Sequence, residues 1–218
     1  MFLILFDVDG TLVDSQHLIV ATMNRAFAGA GLAPPDAAAT RSIIGLSLPQ
    51  AMARLAADQD AATQAALVDA YKAHFSIERD SAPAPLYPGV AEGLARLAAR
   101  DDVILGVATG KSRRGLDHLI AAHGWQGLFV TRQTADTNPS KPDPGMIRAA
   151  LSETGTLPER TAMIGDTSYD MAMGRAAGVR ALGVAWGYHD AAALTGAGAE
   201  AVAADFAALT ARIEEMTA

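Results

Sequence analysis

The chain has 218 residues, enough for one large domain or a core with a smaller companion, and enough to bury a substantial apolar interior. Half of the residues are hydrophobic and few are aromatic, so alanine, leucine and valine must build that interior. A formal net charge of -7 leaves no basic field to neutralise nucleic-acid phosphates, and the absence of cysteine excludes disulfides, zinc–thiolate sites and cysteine nucleophiles.

Residues 3–12 read Leu3-Ile4-Leu5-Phe6-Asp7-Val8-Asp9-Gly10-Thr11-Leu12. A short apolar run ahead of turn residues predicts a buried, central strand. Asp7 and Asp9 alternate across its carboxyl end. Carboxylates this close repel one another unless a proton or a metal ion separates their roles. The plain alternative is a strand closed by an Asp-Gly turn. The chain opens on this core strand rather than on a basic segment with a cleavage site, and no apolar run is long enough to span a bilayer. A cytoplasmic protein with no membrane partner is therefore expected.

Residues 15–83 read as helices. Leu18-Ile19, Thr22-Met23 and Ala26-Phe27 form a helical stripe, with Ser15 as a candidate cap and Gly29-Ala30-Gly31 as its end. Residues 49–57 and 61–78 continue as amphipathic helices. Ser81-Ala82-Pro83-Ala84-Pro85 is a stiff connector, and Pro88-Gly89 opens a new helix. Thereafter strands alternate with helices. Strands are expected at 103–107, 128–130, 161–165 and 180–185, and helices at 112–123, 144–154, 169–177 and 203–216.

That alternation predicts an α/β fold with a doubly wound parallel sheet covered on both faces. Right-handed crossovers bring the carboxyl ends of the strands to one edge, where ligands bind. The expected organisation is an α/β core from residues 1–14 and 84–218, with a smaller all-helical cap from 15–83 inserted after the first strand. Its two hinges make it a natural lid.

Four polar signals converge on that edge: Asp7-Val8-Asp9-Gly10-Thr11, Thr109-Gly110-Lys111-Ser112, Ser140-Lys141-Pro142-Asp143-Pro144, and Gly165-Asp166-Thr167-Ser168-Tyr169-Asp170. Singly, each has an ordinary reading as a turn or a helix cap. Lysine occurs only at 72, 111 and 141, with arginine carrying the other basic positions. The lysines at 111 and 141 follow apolar strands at turn signals, which suits a task needing a compact ammonium.

The four motifs in this order resemble the haloacid dehalogenase superfamily of phosphohydrolases, and the resemblance runs through the whole chain. The helical insert matches the subgroup with a helical cap, and within it the phosphoglycolate phosphatases. The resemblance implies Asp7 as nucleophile, forming an aspartyl-phosphate, and Asp9 as the acid and then base. It implies Mg2+ held by Asp7, the backbone carbonyl of Asp9 and Asp166, with Asp170 acting through a water. It implies Lys141 and Thr109 on the phosphoryl group, with the amides of Val8, Asp9 and Gly110 completing the cradle and Gly10 turning the chain past it.

In the cap, Arg41 to Leu48 resembles the loop that faces the site. Gly45 would give close approach, the alternative being a plain turn. Arg41 is a candidate for a distal anion, the alternative being a solvated helix residue. Lys111 is a candidate for a substrate carboxylate, ahead of Arg113 and Arg114, and His17 is a surface histidine by preference. Lys72 falls in an ordinary amphipathic helix, which argues against a Schiff-base hydrolase. Asp9 argues against a dehalogenase, and Leu46-Ser47-Leu48-Pro49 lacks the basic residue that sugar-phosphate mutases carry there. The expected activity is phosphatase action on a small phosphorylated metabolite, 2-phosphoglycolate first. The alternatives are a beta-phosphoglucomutase-like transferase, a pyrophosphatase or nucleotide phosphatase, and a non-catalytic phosphate-binding regulatory module. A monomer or a homodimer is compatible with the sequence.

Overall fold

The computed structural model describes residues 1–79 and 83–217. Of the expected connector Ser81–Pro85, residues 81 and 82 lie outside that range. The chain begins with β1 (Phe2–Phe6), whose neighbours are β2 (Val103–Thr109) and β4 (Thr161–Gly165), both parallel to it. β3 (Thr131–Thr134), β5 (Arg180–Val184) and β6 (Ala201–Ala203) complete a six-stranded sheet in the order β3-β2-β1-β4-β5-β6. The order reverses at β1, so crevices open beside its carboxyl end. Asp7 follows immediately there.

Strand alternation assigns the two faces. Ile4 and Phe6 of β1 meet α5 (Val90–Ala98), α6 (Arg113–Ala122) and α10 (Phe206–Thr217) in one apolar layer. Leu3 and Leu5 meet α7 (Gly145–Thr154) and α8 (Ser168–Ala177) in the other. Short α9 (Ala191–Ala197) seats Leu194 beside Met171 and Ala181.

Between β1 and α5 lie α1 (Gln16–Gly29), α2 (Ala37–Ser42), α3 (Leu48–Leu55) and α4 (Ala61–Arg79). They enclose an apolar cluster of their own, with Ile19, Met23, Phe27, Met52 and Leu67 at its centre. The chain leaves and re-enters the sheet layer side by side. Val13 bridges Leu86, and the Asp14 amide donates to the Pro85 carbonyl at 2.8 Å. Among the described residues, no helix is long and apolar enough to cross a membrane.

Three expectations need correction. Leu128-Phe129-Val130 is not a strand. Phe129 is buried, packed edge-on against Trp125, while Val130 is 59% exposed, and pairing starts one residue later in a polar edge strand. The last helix starts at Phe206 rather than 203, because Ala201–Ala203 is β6. Helices α2 and α9 were not anticipated as separate elements. Ser15 occupies the cap position of α1, yet its side chain makes no capping bond.

The terminal helix is held by its first residue. Phe206 stacks on Phe6 at 6.2 Å and meets Trp186 at 5.9 Å, over Gly93, where a Cβ would overlap the ring. Phe206→Ala is expected to lose about 3–5 kcal/mol of stability in urea denaturation. A loss under about 1 kcal/mol would show that α10 is not anchored there.

Candidate active site

The site is built where β1, β2 and β4 end. Beyond β1 the backbone closes on itself: the Val8 carbonyl accepts the amides of Leu12 and Val13 at 2.9 and 3.0 Å. Gly10 takes φ +85°, and a Cβ there would overlap the Asp166 carboxylate and the Tyr188 ring. Glycine is required for both reasons.

Asp7 is buried. Lys141 Nζ stands 2.9 Å from its Oδ1, and its Oδ2 has no partner. Burial, opposed by Lys141 and reinforced by Asp170, pushes the Asp7 carboxyl up to about 7. Lys141 is itself fully buried and gives a second contact of 2.6 Å to Asp170 Oδ1. Burial disfavours its charged form, but Asp170 and Asp7 outweigh that and hold its pKa above the ordinary lysine value. The Lys141–Pro142 peptide is cis.

Asp166 and Asp170 sit at the end of β4 and in the first turn of α8. Asp166 is not the cap of that helix. Thr167 is, in a capping box with Asp170, whose Oδ2 takes the Thr167 amide at 3.0 Å and hydroxyl at 2.7 Å. Asp166 accepts from the Thr11 hydroxyl at 2.8 Å and the Tyr188 amide at 2.9 Å. Burial, with Asp170 and Asp7 nearby, raises its pKa well above the usual carboxylate value. Ligand atoms of Asp7, Asp166 and Asp170 lie within 4.8 Å of one another. This all-oxygen donor set, with Oδ2 of Asp7 unpartnered, fits a hard divalent cation. Asp170 is the most heavily engaged of the three, since its Oδ1 pairs with the Lys141 ammonium and its Oδ2 takes two hydrogen bonds, whereas each Asp166 oxygen takes one.

Asp9 faces the cleft. Its Oδ1 accepts from the Ser15 hydroxyl, and its Oδ2 pairs with Lys111 Nζ at 2.8 Å. Lys111 also lies over the Phe75 ring at 5.3 Å. Tyr188 hangs beside Ser15, with its hydroxyl 3.4 Å away, and burial followed by the charge of Asp9 raises its pKa, so it remains a neutral phenol. Thr109 ends β2, buried, and its hydroxyl accepts the Lys111 amide at 3.3 Å.

The loop 43–47 roofs the site. A Cβ on Gly110 would lie 2.5 Å from the Leu46 carbonyl oxygen, so only glycine allows that approach. Gly45 adopts φ +99° facing Thr167, and the Ser47 amide donates to the Ser140 hydroxyl at 2.8 Å. Farther out, the Tyr169 hydroxyl donates to the Ser42 carbonyl at 2.8 Å and receives Arg54 at 2.6 Å. A cavity of about 530 Å³ lies between this roof and the carboxylates.

Asp7, Asp9, Gly45, Gly110 and Lys111 therefore all line or border one cleft, with Asp166, Asp170 and Lys141 beneath it. Arg41 is not among the lining residues, whereas Lys72 and Arg114 are. Arg113 instead donates its amide to Asp136. His17 is exposed. Sequence reasoning missed the hydroxyl of Ser15, the Tyr188 backbone, Ser140, and Gly187, where a Cβ would overlap Asp166. Ser15 carried a signal as a small polar residue beside the first hinge, and Ser140 as the residue before Lys141 in the third polar motif.

A family model described as haloacid dehalogenase-like hydrolase matches residues 4–184. The chain is 38% identical over 191 residues to "Probable phosphatase IndB" of Dickeya dadantii, covering 86% of this chain and 82% of that protein. It is 34% identical over 216 residues to the phosphoglycolate phosphatase of Rhodospirillum rubrum, covering 94% and 88%. A hydrolase from Pseudomonas syringae shares the fold with a TM-score of 0.87 over 99% of both chains, at 24% identity.

Removing Lys141 tests the electrostatics. Lys141→Met leaves the buried carboxylates without their countercharge and is expected to lose about 3–5 kcal/mol at pH 8. A carboxyl with a raised pKa binds more protons folded than unfolded between its two pKa values, so its burden on the fold grows as pH rises toward about 7. The loss should therefore shrink at pH 5.5, where Asp7 is protonated. Urea denaturation at both pH values decides; equal losses contradict the charge argument.

Proposed function

The chain belongs to the haloacid dehalogenase-like hydrolases, and from that membership we propose that it is a magnesium-dependent phosphomonoester hydrolase working through Asp7. The observation that carries this reading is a buried carboxylate, paired through one oxygen with a buried ammonium and with its other oxygen unpartnered, opening toward a roofed cleft. Relatives named as phosphatases support it.

An ionised Asp7 attacks phosphorus, forming the Oδ–P bond as the bond from phosphorus to the ester oxygen breaks. Asp9, carrying a proton in the substrate complex, gives it to that departing oxygen, then as a carboxylate takes one from the water that cleaves the aspartyl-phosphate and restores Asp7. Ser15 and Lys111, one on each Asp9 oxygen, aim its carboxyl. Lys141 favours the ionised state of Asp7 and is itself fixed by Asp170. Thr109 and the amides of Val8 and Gly110 receive the phosphoryl oxygens in this scheme. Asp7 and Asp166 would hold the magnesium, which neutralises charge on the phosphoryl group. Asp170 serves by orienting Lys141. Helices α1–α4 act as the cap, moving about the paired connectors at Val13–Asp14 and Pro85–Leu86.

Phosphate release from a panel of small esters, with and without magnesium, tests the reading; 2-phosphoglycolate belongs in that panel because of the named relatives. Asp7→Asn should abolish turnover with the fold intact by circular dichroism. Asp9→Asn should lower kcat by about 10²–10⁴-fold with modest change in KM. Normal turnover in the Asp7 variant would sink the nucleophile assignment. Because protons compete with the cation at Asp7 and Asp166, magnesium should raise Tm more at pH 8 than at pH 5.5. A magnesium shift that is the same at both pH values would remove these carboxylates as its ligands.

A further inference from the structure

The cavity above Asp7 and Asp9 has about 530 Å³, within the roughly 300–1,000 Å³ typical of sites for drug-sized ligands. A phosphate ester of a two-carbon acid would fill little of it. Its apolar lining includes Ile19, Met23, Ile44, Leu48, Tyr71 and Phe75. Tyr71 and Phe75 stack on each other at 5.5 Å with 19° between their planes, so α4 offers an aromatic surface to the cleft.

Of the cations lining the cleft, one is engaged below and two are exposed to solvent, where pairing with a carboxylate contributes little. Lys111 is only 10% exposed and already pairs with Asp9. Lys72 is 64% exposed and lies 4.0 Å from Asp69. Arg114 is exposed at the rim.

Building on the phosphatase reading, we infer that the preferred substrate is a phosphate monoester of an alcohol bearing an apolar ring, with the ring seated against Met23, Tyr71 and Phe75. The phosphoryl group would lie over Asp7 and the ring would displace water from the apolar wall. That burial contributes to binding wherever the ring stays in place through the reaction. Lys111 bridges the two halves: it pairs with Asp9 below and covers the Phe75 ring beside the seat.

The test compares ethyl, benzyl and naphthylmethyl phosphate, whose primary alcohols have similar leaving ability, alongside 2-phosphoglycolate, each with magnesium. The kcat/KM is expected to rise about 10- to 100-fold from ethyl to benzyl phosphate, and benzyl phosphate should exceed 2-phosphoglycolate. Phe75→Ala should reduce the benzyl-to-ethyl ratio by about tenfold; a ratio taken within one variant is insensitive to its folded fraction. Hydrolysis with 2-phosphoglycolate equal to or above benzyl phosphate, or a ratio unmoved in Phe75→Ala, overturns the ring seat while leaving the phosphatase reading standing. No phosphate release from any ester overturns both.

Discussion

The Lys141 ammonium is the point on which the site depends. It is fully buried and lies between Asp7 at 2.9 Å and Asp170 at 2.6 Å. An ammonium removed from water is tolerated only when opposite charges surround it. The pairing ties three distant parts of the chain together: the end of β1, the loop before α7 and the first turn of α8. Asp170 carries the link onward, since its other oxygen closes the capping box with Thr167. Displacing Lys141 would thus disturb a helix start as well as an ion pair. Lys141 faces Asp7 and Asp170, and Asp166 lies in the same cluster, so two negative charges stay uncompensated when all three are ionised. Burial is the main reason that Asp7 and Asp166 hold protons more tightly than ordinary carboxyls, with the neighbouring carboxylates adding to it, and a divalent cation would balance the cluster.

Glycines set how closely the parts approach. Gly10 and Gly187 leave room for the Asp166 carboxylate, and Gly165 leaves room for Asp170. Gly110 admits the carbonyls of Gly45 and Leu46. The proposed cap therefore meets the core through backbone at its innermost point and through Tyr169, Arg54 and Ser42 at its edge. The inner contact is short and polar, and Tyr169 and Tyr188 of the core pack against the apolar cluster of the helices. Such an interface can open without exposing a core, which suits a lid.

Much of this was legible in sequence because burial leaves a pattern. Apolar runs ending in paired polar residues marked β1, β2 and β4, and those strands place Asp7, Thr109 and Asp166. The missed strands lie at the sheet edges. β3 is polar because it is an edge strand, and the apolar run before it is a loop that plugs the core with Phe129. Ala201–Ala203 offered no contrast within an alanine-rich chain, so β6 was absorbed into the next helix. Side-chain partners were harder still. Ser15 looks like a helix cap, yet its hydroxyl goes to Asp9, a choice made by the turn at Val8 rather than by local spacing. Lys72 looks like the polar face of a helix and lines the cleft only because α4 packs across α1.

The Lys111–Asp9 pair bears directly on selectivity. A substrate carboxylate that recruited Lys111 would have to draw it from Asp9, exchanging one ion pair for another, so the net gain in binding is small. It would also leave Asp9 held by Ser15 alone, in a different charge environment at the moment a proton must move. An apolar ring makes no such demand. It leaves the pair in place and gains from a wall whose desolvation is favourable rather than costly. Discrimination between the two kinds of ester is a difference between these terms, and in this cleft both favour the ring.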